Sequence, residues 1–315
     1  MRIAIIGGSG LDELLTAAGL VESPRVVEPQ TPFGVPSSAI TIGRARGSGV
    51  EVAFLKRHGE GHRISPHRVP SRANIFALKS LGVTHLIATG AVGSLREDIH
   101  PGDLVVCDQL IDRTTGAGTR GQERTFFDRA AVHVEFADPC CPVMRAWLIG
   151  AGASISRAGG STVHDRGTCV VIDGPAFSTR AESEMHRAMG ADVVGMTALP
   201  EARLAREAEI AYALVALPTD YDCWKPRATG ANGKPESLLA EVIANLDRAS
   251  GAAMRLIEAA LADTGSLETP SPAHDALRLG IWTRRDAIDA EEVERLRPIW
   301  GRWMPAGNGG PRPSA

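Results

Sequence analysis

The sequence carries little net charge, no long hydrophobic run and no paired cysteine motif. A formal charge of −3 over 315 residues gives no basic surface for nucleic acid and no polybasic patch for a membrane. No apolar run approaches the roughly 20 residues needed to span a bilayer. The five cysteines, Cys107, Cys140, Cys141, Cys169 and Cys223, are odd in number and contain no C-x-x-C pair. That argues against a disulfide framework or a zinc site and fits reduced intracellular thiols. A strand at Ile3-Ala4-Ile5-Ile6 begins almost at once, which predicts no signal peptide. Several chemical signatures are missing too. Gly7-Gly8-Ser9-Gly10 is neither a G-x-G-x-x-G fingerprint nor a P-loop, and Ser94 does not sit in G-x-S-x-G. His58 and His62 lie four apart, but Gly59 and Gly61 disfavour the helix that a metal-binding pair would need. These absences predict a cytoplasmic protein with no nucleic-acid or membrane partner, no metal and no dinucleotide cofactor.

What is present is an alternation of short apolar runs with helical periodicity, the pattern of a sheet covered by helices. Strands are predicted at 3–6, 39–42, 50–56, 84–89, 103–108, 168–173, 192–196 and 210–217. Helices are predicted at 70–81, 141–152, 180–189, 199–208 and 236–263. The last is the clearest, with Leu239, Val242, Ile243, Leu246, Ala253, Leu256, Ile257 and Leu261 at helical spacing. The fold class is α/β: a single domain, 1–264, with a central mixed β-sheet flanked by helices. A C-terminal extension, 265–315, reads as partly helical with a weakly ordered end. Segments 114–124 and 226–235 read as loops.

The residues that carry chemistry fall just after the strands, where open α/β sheets place ligands. Thr219-Asp220-Tyr221-Asp222-Cys223-Trp224 follows the run 210–217. An ionised carboxylate only accepts hydrogen bonds, whereas a protonated one also donates. A ring with an N–H₂ donor and a basic nitrogen, such as adenine, calls for both. Arg57 and His58 close another strand, and a guanidinium suits an oxyanion. Ala88-Thr89-Gly90-Ala91-Val92-Gly93-Ser94, Ile172-Asp173-Gly174-Pro175-Ala176-Phe177 and Val194-Gly195-Met196-Thr197 are three more strand exits. Each has an ordinary explanation: a glycine turn, a capping Asp, a core Phe, a gap-filling Met. Five such exits with complementary chemistry are harder to ascribe to turns alone.

Together these motifs resemble the purine nucleoside phosphorylases, and most of all their 5′-methylthioadenosine phosphorylase branch. The resemblance rests on Gly7-Gly8-Ser9-Gly10-Leu11, Thr31-Pro32-Phe33-Gly34, Arg57-His58-Gly59, Gly93-Ser94-Leu95-Arg96, Asp112-Arg113-Thr114, Gly174-Pro175-x-Phe177-Ser178-x-Arg180-Ala181-Glu182 and the 219–224 stretch. Seven motifs in order across residues 1–225 make it specific. It implies a nucleoside-phosphorylase-like fold and a homotrimer. It also implies phosphorolysis of a 6-aminopurine nucleoside, by default 5′-methylthioadenosine, with inorganic phosphate as co-substrate and no cofactor. By position, Ser9, Arg57, His58, Gly90, Ala91 and Thr197 would hold phosphate. Ala91, Val92, Gly93, Phe177, Val194 and Met196 would surround the nucleoside. Asp220 and Asp222 would read and protonate the base, with Asp220 as the donor at N7, which requires a raised pKa. His62 and, across a subunit boundary, His133 would lie near the 5′ side.

The sequence also departs from that family. Gly90 stands where Thr or Asn is usual, Ala176 replaces an Arg, and Pro218 precedes the carboxylate loop. The polar 226–235 segment occupies the place of an apolar cover, which predicts a shifted 5′ preference. Residues beyond about 265 have no counterpart in the family pattern. The alternatives are another 5′-substituted adenosine, a 6-oxopurine nucleoside, a purine nucleosidase or an inactive purine-binding protein.

Overall fold

In chain order the strands are β1 (Arg2–Gly7), β2 (Val21–Val27), β3 (Ile40–Ala45), β4 (Glu51–Lys56), β5 (His85–Ser94), β6 (Leu104–Val106), β7 (Gln109–Asp112), β8 (Val163–His164), β9 (Thr168–Val171), β10 (Val193–Gly195) and β11 (Ala211–Asp220). The helices are α1 (Ser71–Ser80), α2 (Pro142–Arg157), α3 (Arg180–Ala188), α4 (Ala198–Glu207), α5 (Pro235–Ala262), α6 (Ala290–Arg295) and α7 (Arg297–Trp300), with short 3₁₀ turns between some of them. The computed structural model describes residues 1–8, 19–114, 124–157, 161–225 and 235–304. Ser9, most of 226–235 and the last eleven residues, 305–315, therefore lie outside the described residues.

The described strands form one mixed sheet. Its main path runs β2-β3-β4-β1-β5-β10-β9-β7, and β11 branches from β5 to carry β6 and then β8. The centre is parallel: β1 pairs with β4 and β5, and β5 pairs with β11. At its far end β5 also meets β10 in antiparallel register, Val194 opposite Gly93. A strand buried on both faces reads as an unbroken apolar run. That is why 210–217 stands out in the sequence.

Alternation divides the core. Ala4, Ile6, Tyr212 and Leu214 face a layer with Phe76 and Leu78 of α1 and Leu204 of α4. Ile3, Ile5, Ala213 and Val215 face the other layer, with Met144 and Leu148 of α2 and Leu256 and Ile257 of α5. The C-terminal segment joins the first layer through Leu296, Ile299 and Trp300. The expected strands and helices are present, with ends shifted by a residue or two in most cases. The sequence reading missed β2, β7 and β8. β2 holds Pro24 and is exposed along most of its length. A Pro is tolerated on an edge strand such as this one, which among the described residues pairs only with β3. β8 is only two residues long.

Candidate active site

The ends of β1, β4, β5, β9, β10 and β11 surround one cavity of about 540 Å³, the size of a small-molecule site. It takes Gly8 after β1, Arg57 and His58 after β4, and Gly90, Ala91, Val92 and Gly93 from β5. Val194, Met196 and Thr197 come from β10 and its exit, and Thr219, Asp220 and Asp222 from β11 and its exit. His62 and Phe177, also anticipated from sequence, line it too. Ser9 lies outside the described residues, next to the Gly8 that lines the cavity. His133, expected from across a subunit boundary, does not line the cavity of its own chain. Its ring meets Trp282 edge-on with centroids 4.7 Å apart, and its backbone N–H bonds the Gly280 carbonyl at 2.8 Å.

Arg57 is almost wholly buried, and such a charge needs partners. Its Nε and Nη2 donate to the two carboxylate oxygens of Glu201 at 2.9 and 3.0 Å. Its Nη1 donates to the Thr89 carbonyl at 2.6 Å. Glu201 also accepts from the Tyr212 hydroxyl at 3.1 Å. The sequence reading missed Glu201 because α4 shows a run of charged residues that looks solvated. His58 lies 2.7 Å through Nδ1 from the Ile64 carbonyl. A carbonyl only accepts, so Nδ1 carries the proton. Burial first, then the Arg57 charge, pushes the His58 pKa down to about 4. His58 is therefore neutral at pH 7, with Nε2 as its acceptor.

The carboxyl pair owes its position to a bulge. β11 pairs in step with β5 as far as Pro218 opposite Val92, then slips so that Asp220 faces Gly93. Such an irregularity re-aims side chains at a strand end. Gly93 is what lets the loop come close: a Cβ there would lie 3.1 Å from the Asp222 Cβ and 3.4 Å from Asp220 Oδ1. Asp220 Oδ2 accepts from the Thr219 hydroxyl at 2.9 Å, and Oδ1 accepts from the Asp222 N–H at 2.7 Å. Asp222 sits at φ 51° and accepts a short bond from the Ser183 hydroxyl of α3. Burial raises the Asp222 pKa above the ordinary carboxylate value; the Ser183 bond opposes that and the Asp220 charge adds to it. Behind the loop, Trp224 Nε1 donates to the Ser94 carbonyl at 2.8 Å and Arg187 lies 3.9 Å over the Trp224 ring.

Val242 and Leu246, one turn apart on α5, add an apolar wall that sequence reasoning did not assign to the site. Their i, i+4 spacing was legible, but a helical stripe is more often core. Gly90 has room: the nearest atom to a Cβ there would be Thr197 Oγ1 at 3.5 Å. Among the described residues no cluster of three His, Cys, Asp or Glu is arranged for a metal, and no helix is long and apolar enough to cross a membrane.

The sequence profile of the phosphorylase superfamily matches residues 2–262. The S-methyl-5′-thioadenosine phosphorylase of Chloroflexus aurantiacus is 47% identical over 302 residues, covering 96% of this chain and 98% of its own length. That of Geobacter sulfurreducens is 43% identical over 306 residues, covering 96% and 99%. An alignment over 96% of the chain includes most of the residues after 265, so they do have a counterpart, contrary to the sequence expectation. A crystal structure of a methylthioadenosine phosphorylase sourced from an antarctic soil metagenomic library matches with a TM-score of 0.82 at 44% identity, covering 94% of this chain and 98% of that one. The Schistosoma mansoni methylthioadenosine phosphorylase in complex with adenine matches with a TM-score of 0.76 at 34% identity, covering 90% and 100%. The motifs at the strand ends, the sheet that gathers them and these matches agree: the chain belongs to the phosphorylase superfamily, in its methylthioadenosine phosphorylase branch.

Proposed function

We propose that the chain catalyses phosphorolysis of 5′-methylthioadenosine, giving adenine and 5-methylthioribose-1-phosphate. The observation that carries this is a single cavity lined both by Arg57, His58 and Thr197 and by the Asp220–Asp222 pair. The first group suits a phosphate. Arg57 supplies positive charge, and neutral His58 accepts a hydrogen bond from a protonated phosphate oxygen through Nε2. A phosphate oxygen forms the new bond to C1′ while the bond from C1′ to N9 breaks and its electron pair passes to the purine. Positioning the two reactants accounts for much of the rate gain in such a step.

The departing adenine gains electron density and leaves more readily with a proton or hydrogen bond at N7. Burial raises the Asp222 pKa, so that carboxyl takes up a proton at higher pH than an exposed one would. Asp220 is assigned to N7, with Asp222 completing the pair and supporting the exocyclic N–H₂. A 6-oxopurine would present an acceptor to a carboxylate there, so adenine nucleosides are favoured. Val242 and Leu246 offer apolar surface suited to a 5′-methylthio group. The reaction so written takes inorganic phosphate as co-substrate and calls for no metal or organic cofactor. Phe177 lines the cavity yet is 84% exposed, and Trp282 beside His133 is 71% exposed. Both fit a neighbouring subunit covering these rings, in the homotrimer that we propose. A sedimentation mass of one chain would refute that assembly.

The decisive experiment is a substrate panel with phosphate present and absent. It varies 6-amino against 6-oxo bases and 5′-hydroxyl against 5′-methylthio sugars. Phosphate-dependent release of adenine, fastest from the methylthio nucleoside, is expected. Release without phosphate would make the protein a nucleosidase, and equal turnover of inosine would overturn the base assignment.

A further inference from the structure

We propose that Glu201 is a positioning residue for phosphate, acting through Arg57; this rests on the reading of Arg57 as a phosphate ligand. A guanidinium carries five N–H groups in one plane. Glu201 takes Nε and Nη2 in a fork-to-fork pair, and the Thr89 carbonyl takes Nη1. Three bonds in that plane fix both its tilt and its rotation, which a single contact would not. The pair is buried, Arg57 at 1% and Glu201 at 2% exposure, so water does not compete for it.

Glu201 is itself held by the Tyr212 hydroxyl of β11. It lies four residues after Thr197, on the helix that Thr197 opens. One element thus carries a group on the cavity wall and the anchor of another. The carboxylate also balances the guanidinium charge, so the corner remains assembled when no anion is bound.

Two variants separate reach from charge. Glu201→Asp keeps the charge but draws it back by one methylene, and Glu201→Gln keeps the length but removes the charge. Initial rates are measured against phosphate at saturating nucleoside and against nucleoside at saturating phosphate, with Arg57→Ala as reference. Binding of free adenine without phosphate monitors the rest of the site. Both Glu201 variants are expected to raise the KM for phosphate about tenfold or more, since small misplacements of a binding group are costly. The KM for nucleoside and adenine binding should stay within about twofold of wild type on the same argument. A wild-type phosphate KM in both variants, with Arg57→Ala impaired, overturns the inference and leaves the phosphate reading intact. A wild-type phosphate KM in Arg57→Ala removes that reading instead, and the inference with it. Loss of adenine binding in both Glu201 variants would show a folding element and likewise overturn the positioning role.

Discussion

Gly8 has no space for a methyl group: a Cβ there would stand 2.9 Å from Arg57 Nη1 and 3.0 Å from the Thr89 carbonyl. Gly8→Ala must therefore displace the guanidinium or the strand, and overpacking of this kind costs about 1–3 kcal/mol. A raised KM for phosphate is expected, with adenine binding retained; unchanged phosphate kinetics would show that Arg57 tolerates the shift. Gly90 is the opposite case, since a side chain there meets only ordinary contact with Thr197. Gly90→Ser should leave the unfolding midpoint near wild type, whereas a marked drop would contradict the open geometry. The Ser183 hydroxyl bears on protonation. It donates to Asp222 and so stabilises the carboxylate form. Ser183→Ala removes that donor and lets the Asp222 pKa rise further. If the protonated pair is the active form, the alkaline limb of kcat against pH moves upward, by about one unit for a bond of 1.5 kcal/mol. A limb that stays in place, or moves down, would separate Asp222 from proton delivery.

Helix α4 shows how far an element can be read from sequence. Its place after a strand was legible, as was the Thr197 that opens it, because glycine-flanked strand exits leave a local signature. Its buried face was not. Glu201, Arg206 and Glu207 read as a solvated side by residue type, yet all three are buried. Their partners, Arg57, Glu135 and the Phe126 N–H, lie 71 to 144 residues away in sequence, beyond the reach of helical spacing. Ser183 on α3 was missed for the same reason. Glu207 adds a pH dependence to this element. Burial pushes its pKa up to about 7, against 4.5 for the free group, while the Phe126 N–H donates to it at 2.8 Å. The folded state thus holds this proton more tightly than the unfolded state does. Its stabilising effect is complete below about pH 4.5 and is lost as pH rises through about 7. Glu207→Gln should flatten this part of the stability profile and raise stability near pH 8, by an amount on the order of 3 kcal/mol. Denaturant unfolding at pH 5 and pH 8 would measure it. Equal slopes in the two proteins would assign the pH dependence elsewhere.

At the scale of the whole molecule, the C-terminal segment is joined to the sheet by apolar and polar contacts. Trp300 is fully buried and its ring lies 5.0 Å from that of Phe127. Glu209, just before β11, accepts from the Leu277 N–H and Trp303 Nε1, both at 3.0 Å, and pairs with Arg302. That the extension after 264 is partly helical was legible in the sequence. That it fills the core was not, because Phe127, the ring that Trp300 packs on, lies far away along the chain. α7 packs on α1, and α1 packs on α4, the helix that carries Glu201 and begins at Thr197. The segment therefore buttresses the layer that supports the phosphate end of the cavity. Replacing a buried Trp by Ala leaves a large hole, at about 3–5 kcal/mol. Trp300→Ala should lower the denaturant midpoint by a corresponding amount. Under native conditions it should weaken phosphate binding more than adenine binding, because the base end is braced separately by Trp224, Arg187 and Ser183. Equal losses at both ends would mean that the hole loosens the sheet as a whole, and a wild-type midpoint would mean that the segment is dispensable to the core.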